Sequence, residues 1–69
     1  MDNKDLEKRF TYHAPKGDQA TRYEKLRFNG HNLADMINEL CPDSREKSTA
    51  ITKLEECIMW ANASIARNE

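Results

Sequence analysis

Residues 44–68 read SREKSTAITKLEECIMWANASIARN. Ile51, Leu54, Ile58, Ala61 and Ile65 recur at steps of three and four, the spacing of one face of an α-helix. The second half of the stretch is apolar on more than that face. From Cys57 to Ala66 ten residues pass without a charge. On a helical wheel Met59, Trp60 and Ala63 fall away from the Ile51–Ile65 stripe, with Trp60 nearly opposite its centre. A helix that is apolar on several sides needs cover on several sides. Ten residues are too few to cross a bilayer, so the expected cover is protein.

A chain of 69 residues has little protein of its own to supply that cover. It is read as one domain, residues 1–69. At this length a single core is marginal and usually needs a disulfide, a metal or partner subunits. Charged residues make up 33% of the chain, yet the net charge is only −1, so self-repulsion does not argue for disorder. Residues 1–27 hold seven Lys/Arg against five Asp/Glu (+2), and residues 28–69 hold four against seven (−3). A mild positive bias at the front suits a small anionic ligand. It is too weak for a duplex DNA binder. The first residues, MDNKDLEKRF, are polar, with no signal peptide or membrane span, which makes a cytoplasmic chain the expectation.

Upstream of residue 44 the chain is punctuated by Cys41-Pro42. Asp43 or Ser44 caps the following helix, and Asp43-Ser44-Arg45-Glu46 has the D-x-x-E form of a capping box. A first helix is expected over residues 18–41, started by Asp18 as N-cap. Its stripe is Tyr23, Leu26, Gly30, Leu33, Ile37 and Leu40. Gly30 on that stripe implies close helix approach or a bend. Phe28 lies off it, in water or at a contact between subunits. With so short a connection, helices 18–41 and 44–68 fold back as an antiparallel hairpin, each roughly 35 Å long. One seam is buried, while Phe28 and the Met59-Trp60-Ala63 surface stay uncovered. Several hairpins are therefore expected to pack together. Cys57 lies roughly 20 Å along the second helix from Cys41, beyond disulfide reach. Both cysteines are expected as small buried hydrophobes, with pairing between subunits as the alternative.

Residues 1–17 form the arm. The first eight are a polar lead-in or a frayed helical turn. Over residues 9–17, Phe10, Thr11 and Tyr12 favour extended backbone, Pro15 keeps Ala14 out of the helical region, and Lys16-Gly17-Asp18 is turn chemistry. Two readings of the arm stand. Phe10 and Tyr12 pack on the helices, or Tyr12 or His13 stacks on a nucleobase while Arg9 or a neighbour meets phosphate. Arg22, Lys25 and Arg27 likewise form either a solvated face or a phosphate site near the helix start.

His13 and His31 are not at zinc-ligand spacing with each other or with the cysteines, so no metal and no cofactor is expected. His31 is expected at the surface or an interface. No Gly-rich phosphate loop appears, and Ser44, Ser48 and Ser64 lack His or Asp partners, so no catalytic residue is assigned. A helix-turn-helix fits poorly, since the helices are too long and the second is acidic at Glu55-Glu56.

Phe10-Thr11-Tyr12-His13-x-Pro15, Gln19, Arg22-Tyr23, Cys41-Pro42-Asp43-Ser44-Arg45-Glu46, Leu54-Glu55 and Met59-Trp60-Ala61-Asn62-Ala63-x-Ile65-Ala66-Arg67 resemble the helical-hairpin domain of phage anti-defence sponge proteins. These are the anti-CBASS and anti-Thoeris sponges. The resemblance spans residues 9–68, and its specific part is the MWANAxIAR run with PDSRE ahead of it. It implies an all-α homo-oligomer, a hexamer, which binds cyclic di- and trinucleotide immune messengers in the host cytoplasm without cleaving them. Host CBASS effectors then go untriggered. It implies that an arm tyrosine stacks on a base and a basic residue of the helical part meets phosphate, in pockets made by more than one protomer. Tyr12 matches the stacking ring. Lys25 or Arg27 is the phosphate cation, and His13 and Arg67 are candidates for a second pocket around a symmetry axis. Cyclic ADP-ribose-type signals stay open as ligands. The competing expectation is a small oligomeric adaptor that binds a host protein through the arm and the Trp60 face.

Overall fold

The computed structural model describes residues 2–69 and contains three helices: α1 (Asn3–Phe10), α2 (Gln19–Leu40) and α3 (Arg45–Asn68). Among the described residues there is no strand. α2 and α3 are the two helices expected at 18–41 and 44–68, with Asp18, Cys41 and Ser44 as the flanking caps.

The turn between them is held by two side chains. Ser44 Oγ accepts from Lys47 N at 3.1 Å and donates to Pro42 O at 3.1 Å. Lys47 Nζ donates to Asn38 O and to Asp43 Oδ1, both at 2.9 Å. The first of these bonds satisfies one of the carbonyls that the end of α2 leaves without a helical partner. Lys47 thus ties the last turn of α2 to the first turn of α3, and the hairpin closes. The expected capping box at Asp43 does not form. Asp43 is drawn to the Lys47 ammonium, and Ser44 takes the capping role. Asp18 likewise occupies the N-cap position of α2 without a capping bond. Its carboxylate pairs with Arg22 at 3.2 Å instead.

The two stripes meet much as their periodicity requires. Ile51, Leu54, Ile58, Ala61 and Ile65 of α3 are half-buried, as are Tyr23, Leu26 and Ile37 of α2. Leu33 and Leu40 are exceptions, at 45% and 75% exposed. At Gly30 the helices pack tightly. A Cβ there would stand 2.7 Å from Ile58 Cγ1 and 2.9 Å from its Cδ1. Of the two expectations for Gly30, close approach is the one observed.

The arm differs from expectation in its first half. Residues 9 and 10, expected as extended, are the last turn of α1. Asp2 caps that helix by accepting from Lys4 N at 3.2 Å. Asp5 lies in its first turn, and Lys8 and Arg9 in its last, the charge order that the helix dipole favours. Leu6 and Phe10, four apart, share a face. These local terms outweigh the strand preference of Phe10. Thr11 is extended (φ −98°, ψ 137°), and from there to the turn at Gly17, whose φ of +58° favours glycine, the chain is neither helix nor strand.

Among the described residues no apolar side chain is fully buried. The Cα radius of gyration is 15.2 Å, where a compact chain of this length has about 11 Å. The accessible surface is 5748 Å², against about 4,450 Å² for a typical folded monomer of 8.0 kDa. The thinnest dimension of the Cα trace is 12 Å, a single layer of helices. Phe28, Met59 and Trp60 are 67%, 61% and 65% exposed. Ala63, expected with them, is half-buried. Both cysteines are also exposed, contrary to the expectation of burial. Cys57 follows Glu56 off the stripe, and a one-layer hairpin has no second layer to cover it. Among the described residues no helix is long and apolar enough to cross a membrane.

Candidate ligand-binding site

The arm runs beside the end of the hairpin where α2 starts and α3 finishes. Lys8 Nζ donates to Asn68 Oδ1 at 2.7 Å, and His13 Nε2 lies 3.0 Å from Lys8 O. Past the arm, Lys16 N donates to Gln19 Oε1 at 3.1 Å, and Gln19 Nε2 donates to Glu69 Oε1 at 3.3 Å. Gln19 is 3% exposed. Between these bonds Tyr12 stands 83% exposed, and Phe10 is 84% exposed. Neither aromatic packs on the hairpin, so the first reading of the arm does not hold within one chain.

His13 and Arg67, proposed from sequence for a common pocket, line two neighbouring depressions that share Lys8. One is formed by Lys4, Glu7, Lys8, Thr11 and His13. The other is formed by Asp5, Lys8, Arg9, Arg67 and Asn68. The Arg67 guanidinium carbon lies 5.9 Å from the centroid of the Trp60 ring, a cation–π contact that limits its swing. Lys8 was not singled out in the sequence, because a polar lead-in shows no stripe. The signal that marks it is the Asp2 cap with basic residues in the last turn, which makes the segment helical, and Lys8 then reaches Asn68 of α3.

Lys25 and Arg27 are both exposed but are not interchangeable. Residues two apart on a helix do not share a face. Arg27 lines a groove of about 370 Å³ between α2 and α3, with Gly30, His31 and Ala34 on one wall and Ile51, Leu54 and Ile58 on the other. Tyr12 is not part of that groove. Within one chain the stacking ring and this cation are therefore not walls of one pocket. His31 is exposed and lies 3.7 Å from Asp35.

Arg22, grouped with Lys25 and Arg27 from sequence, is already engaged. Its guanidinium donates through both terminal nitrogens to the Glu69 carboxylate, one bond at 2.8 Å, and pairs with Asp18. The hydrogen bonds from Arg22 and then Gln19 hold the Glu69 carboxyl down to about 2. The hydrogen bond to Glu69 raises Arg22 in turn. Both partners keep their charge, and the Arg22 fork is spent inside the chain.

The arrangement offers exposed rings at Phe10, Tyr12 and Trp60, with the Arg67 guanidinium against Trp60. Such a set suits a ligand with stacked bases and bridging phosphates. Among the described residues no three His, Cys, Asp or Glu side chains stand together as a metal site.

Neither the curated proteins nor the solved structures contain a match to the chain. A family model described as "Acb2/Tad1, hairpin domain" matches residues 1–66.

Proposed function

This chain belongs to the Acb2/Tad1 hairpin-domain family, the phage anti-CBASS and anti-Thoeris sponges, and on that premise we propose that it sequesters cyclic oligonucleotide messengers. The messengers are cyclic dinucleotides, cyclic trinucleotides or both. They are held in the host cytoplasm and released unchanged, so CBASS effectors find none free. The working unit is one domain per chain assembled as a homo-oligomer, a hexamer in this reading, with pockets between protomers.

Tyr12 carries the reading. A tyrosine 83% exposed, on a segment tied down at both sides, is a ring kept ready for something outside its own chain. Base stacking on such a ring contributes about 1–3 kcal/mol per base. Lys25 or Arg27 of a neighbouring protomer meets the phosphate. His13 and Arg67, with Lys8 between them, serve a second pocket where copies meet. The excess accessible surface supports assembly. About 1,300 Å² more is exposed than a monomer of this mass usually leaves.

Incubation with cyclic dinucleotides and trinucleotides, followed by heat denaturation of the protein, is expected to return intact messenger. Linearised or hydrolysed product identifies an enzyme instead. The exposure of Met59 and Trp60 favours one competing reading, an adaptor that docks a host protein. Calorimetry against a panel of cyclic nucleotides separates the two, since an adaptor gives no heat with any of them.

A further inference from the structure

The arm is anchored twice, and both anchors end on neighbouring residues. On its upstream side Lys8 Nζ donates to Asn68 Oδ1 at 2.7 Å, a bond between residues 60 positions apart. The Asn68 amide is itself oriented, because its Nδ2 donates to Ser64 O at 2.9 Å. On the downstream side Gln19 holds Lys16 in both directions, its N donating to Lys16 O and its Oε1 accepting from Lys16 N, and Gln19 Nε2 donates in turn to Glu69, which Arg22 also holds. Gln19 is the buried polar side chain of the described residues, and both ends of its amide are used. Charge-assisted bonds such as Lys8 to Asn68 and Arg22 to Glu69 are stronger than neutral ones.

We propose that Asn68 and Glu69 form a clasp that fixes the arm on both sides of Tyr12 and so sets where its ring stands. They are positioning residues for messenger binding, and this inference rests on the sponge reading of Tyr12. The arm has too few buried apolar groups to hold itself. An unclasped Thr11–Lys16 segment samples many conformations, and the ligand must then select the competent one, which lowers apparent affinity.

The test uses the full chain with Asn68→Ala, Glu69→Ala, the double variant and Asn68→Asp. Amide hydrogen exchange of residues 11–16 is measured without ligand, beside native mass and calorimetry with 3′,3′-cyclic di-AMP and cyclic tri-AMP as probes. Asn68 is exposed, so its alanine variant leaves the hairpin seam untouched. In the double variant arm exchange is expected to rise and probe affinity to fall, each by about tenfold, with exchange in α2 and α3 and the oligomer mass unchanged. Asn68→Asp keeps the acceptor for Lys8 and is expected to retain both wild-type values. Arm exchange equal to wild type in the double variant overturns the clasp. Faster arm exchange with unchanged affinity overturns its positioning role. A wild-type chain that takes up neither probe overturns the messenger reading alone, and the exchange data still decide the clasp.

Discussion

Tyr12 and Glu69 show how differently single residues are read. Residue type alone leaves the arm open between Tyr12 and His13 as a stacking ring and simple packing on the helices, and the family resemblance is what points to Tyr12. Replacing it with alanine is expected to weaken messenger binding by about 10–100-fold, since stacking on one base is worth about 1–3 kcal/mol. Native mass spectrometry is expected to return an unchanged oligomer, because the ring lies outside the seam. Loss of the oligomer makes the ring part of the subunit contact instead. Glu69 carried no signal in the sequence, yet it binds Arg22 and Gln19. Its carboxyl, ordinarily near 4.5, is lowered to about 2 by those hydrogen bonds. A depressed folded value means that the bond's contribution is complete above 4.5 and is lost as pH falls toward about 2. The expected outcome is an arm that loosens over that window, seen as movement of the Tyr12 ring resonances. Glu69→Gln removes the titration, and a wild-type-like pH profile in that variant rejects Glu69 as the group responsible.

At the scale of elements, the hairpin is a period-3.6 object and was legible as one. The α3 stripe is half-buried at each of its five predicted positions. Gly30 shows where periodicity stops short, since a glycine on a stripe means contact or bending and only the facing helix decides. Ile58 faces it, and a methyl group at Gly30 has no room without moving that side chain. Gly30→Ala gains about 1 kcal/mol of helix propensity and incurs about 1–3 kcal/mol of overpacking. A net loss of up to about 2 kcal/mol is expected, read as a lower melting temperature. Ile58→Ala in the same chain removes both clashing atoms and is expected to make the Gly30 change neutral or better. A raised melting temperature in the single variant means the helices part at no cost. α1 was the element least legible. Eight residues are too few for a stripe to stand out, and the strand preference of Phe10 and Thr11 pointed the other way. Capping by Asp2 and the charge order along the helix decided it.

The whole molecule is a layer of helices without an interior. The wheel already left Phe28 and the Met59-Trp60 face without cover, and their exposure of 61–67% agrees with that reading. Assembly of several hairpins is the proposed remedy. If it holds, Phe28→Glu with Met59→Glu lowers the subunit count in native mass spectrometry. A melting temperature that rises with protein concentration in the wild type, and no longer does so in the variant, is the companion result. A wild-type chain that stays monomeric and folded at high dilution rules the remedy out. The exposed cysteines follow from the same geometry, since residues off the seam have nothing above them.

The sequence by itself determined the two long helices, the turn between them, the seam and the faces left over, because apolar period and capping are properties of neighbours in the chain. It also carried the family, through runs such as MWANAxIAR, and the ring that stands out on the arm. Only the tertiary structure decided which carboxylate takes Arg22, that Lys8 reaches Asn68, that His13 and Arg67 flank Lys8, and that Arg27 and Tyr12 stand apart. Those pairings join residues up to 60 positions apart. No local pattern encodes them, because they exist only once the hairpin has closed and brought the end of α3 back to the arm.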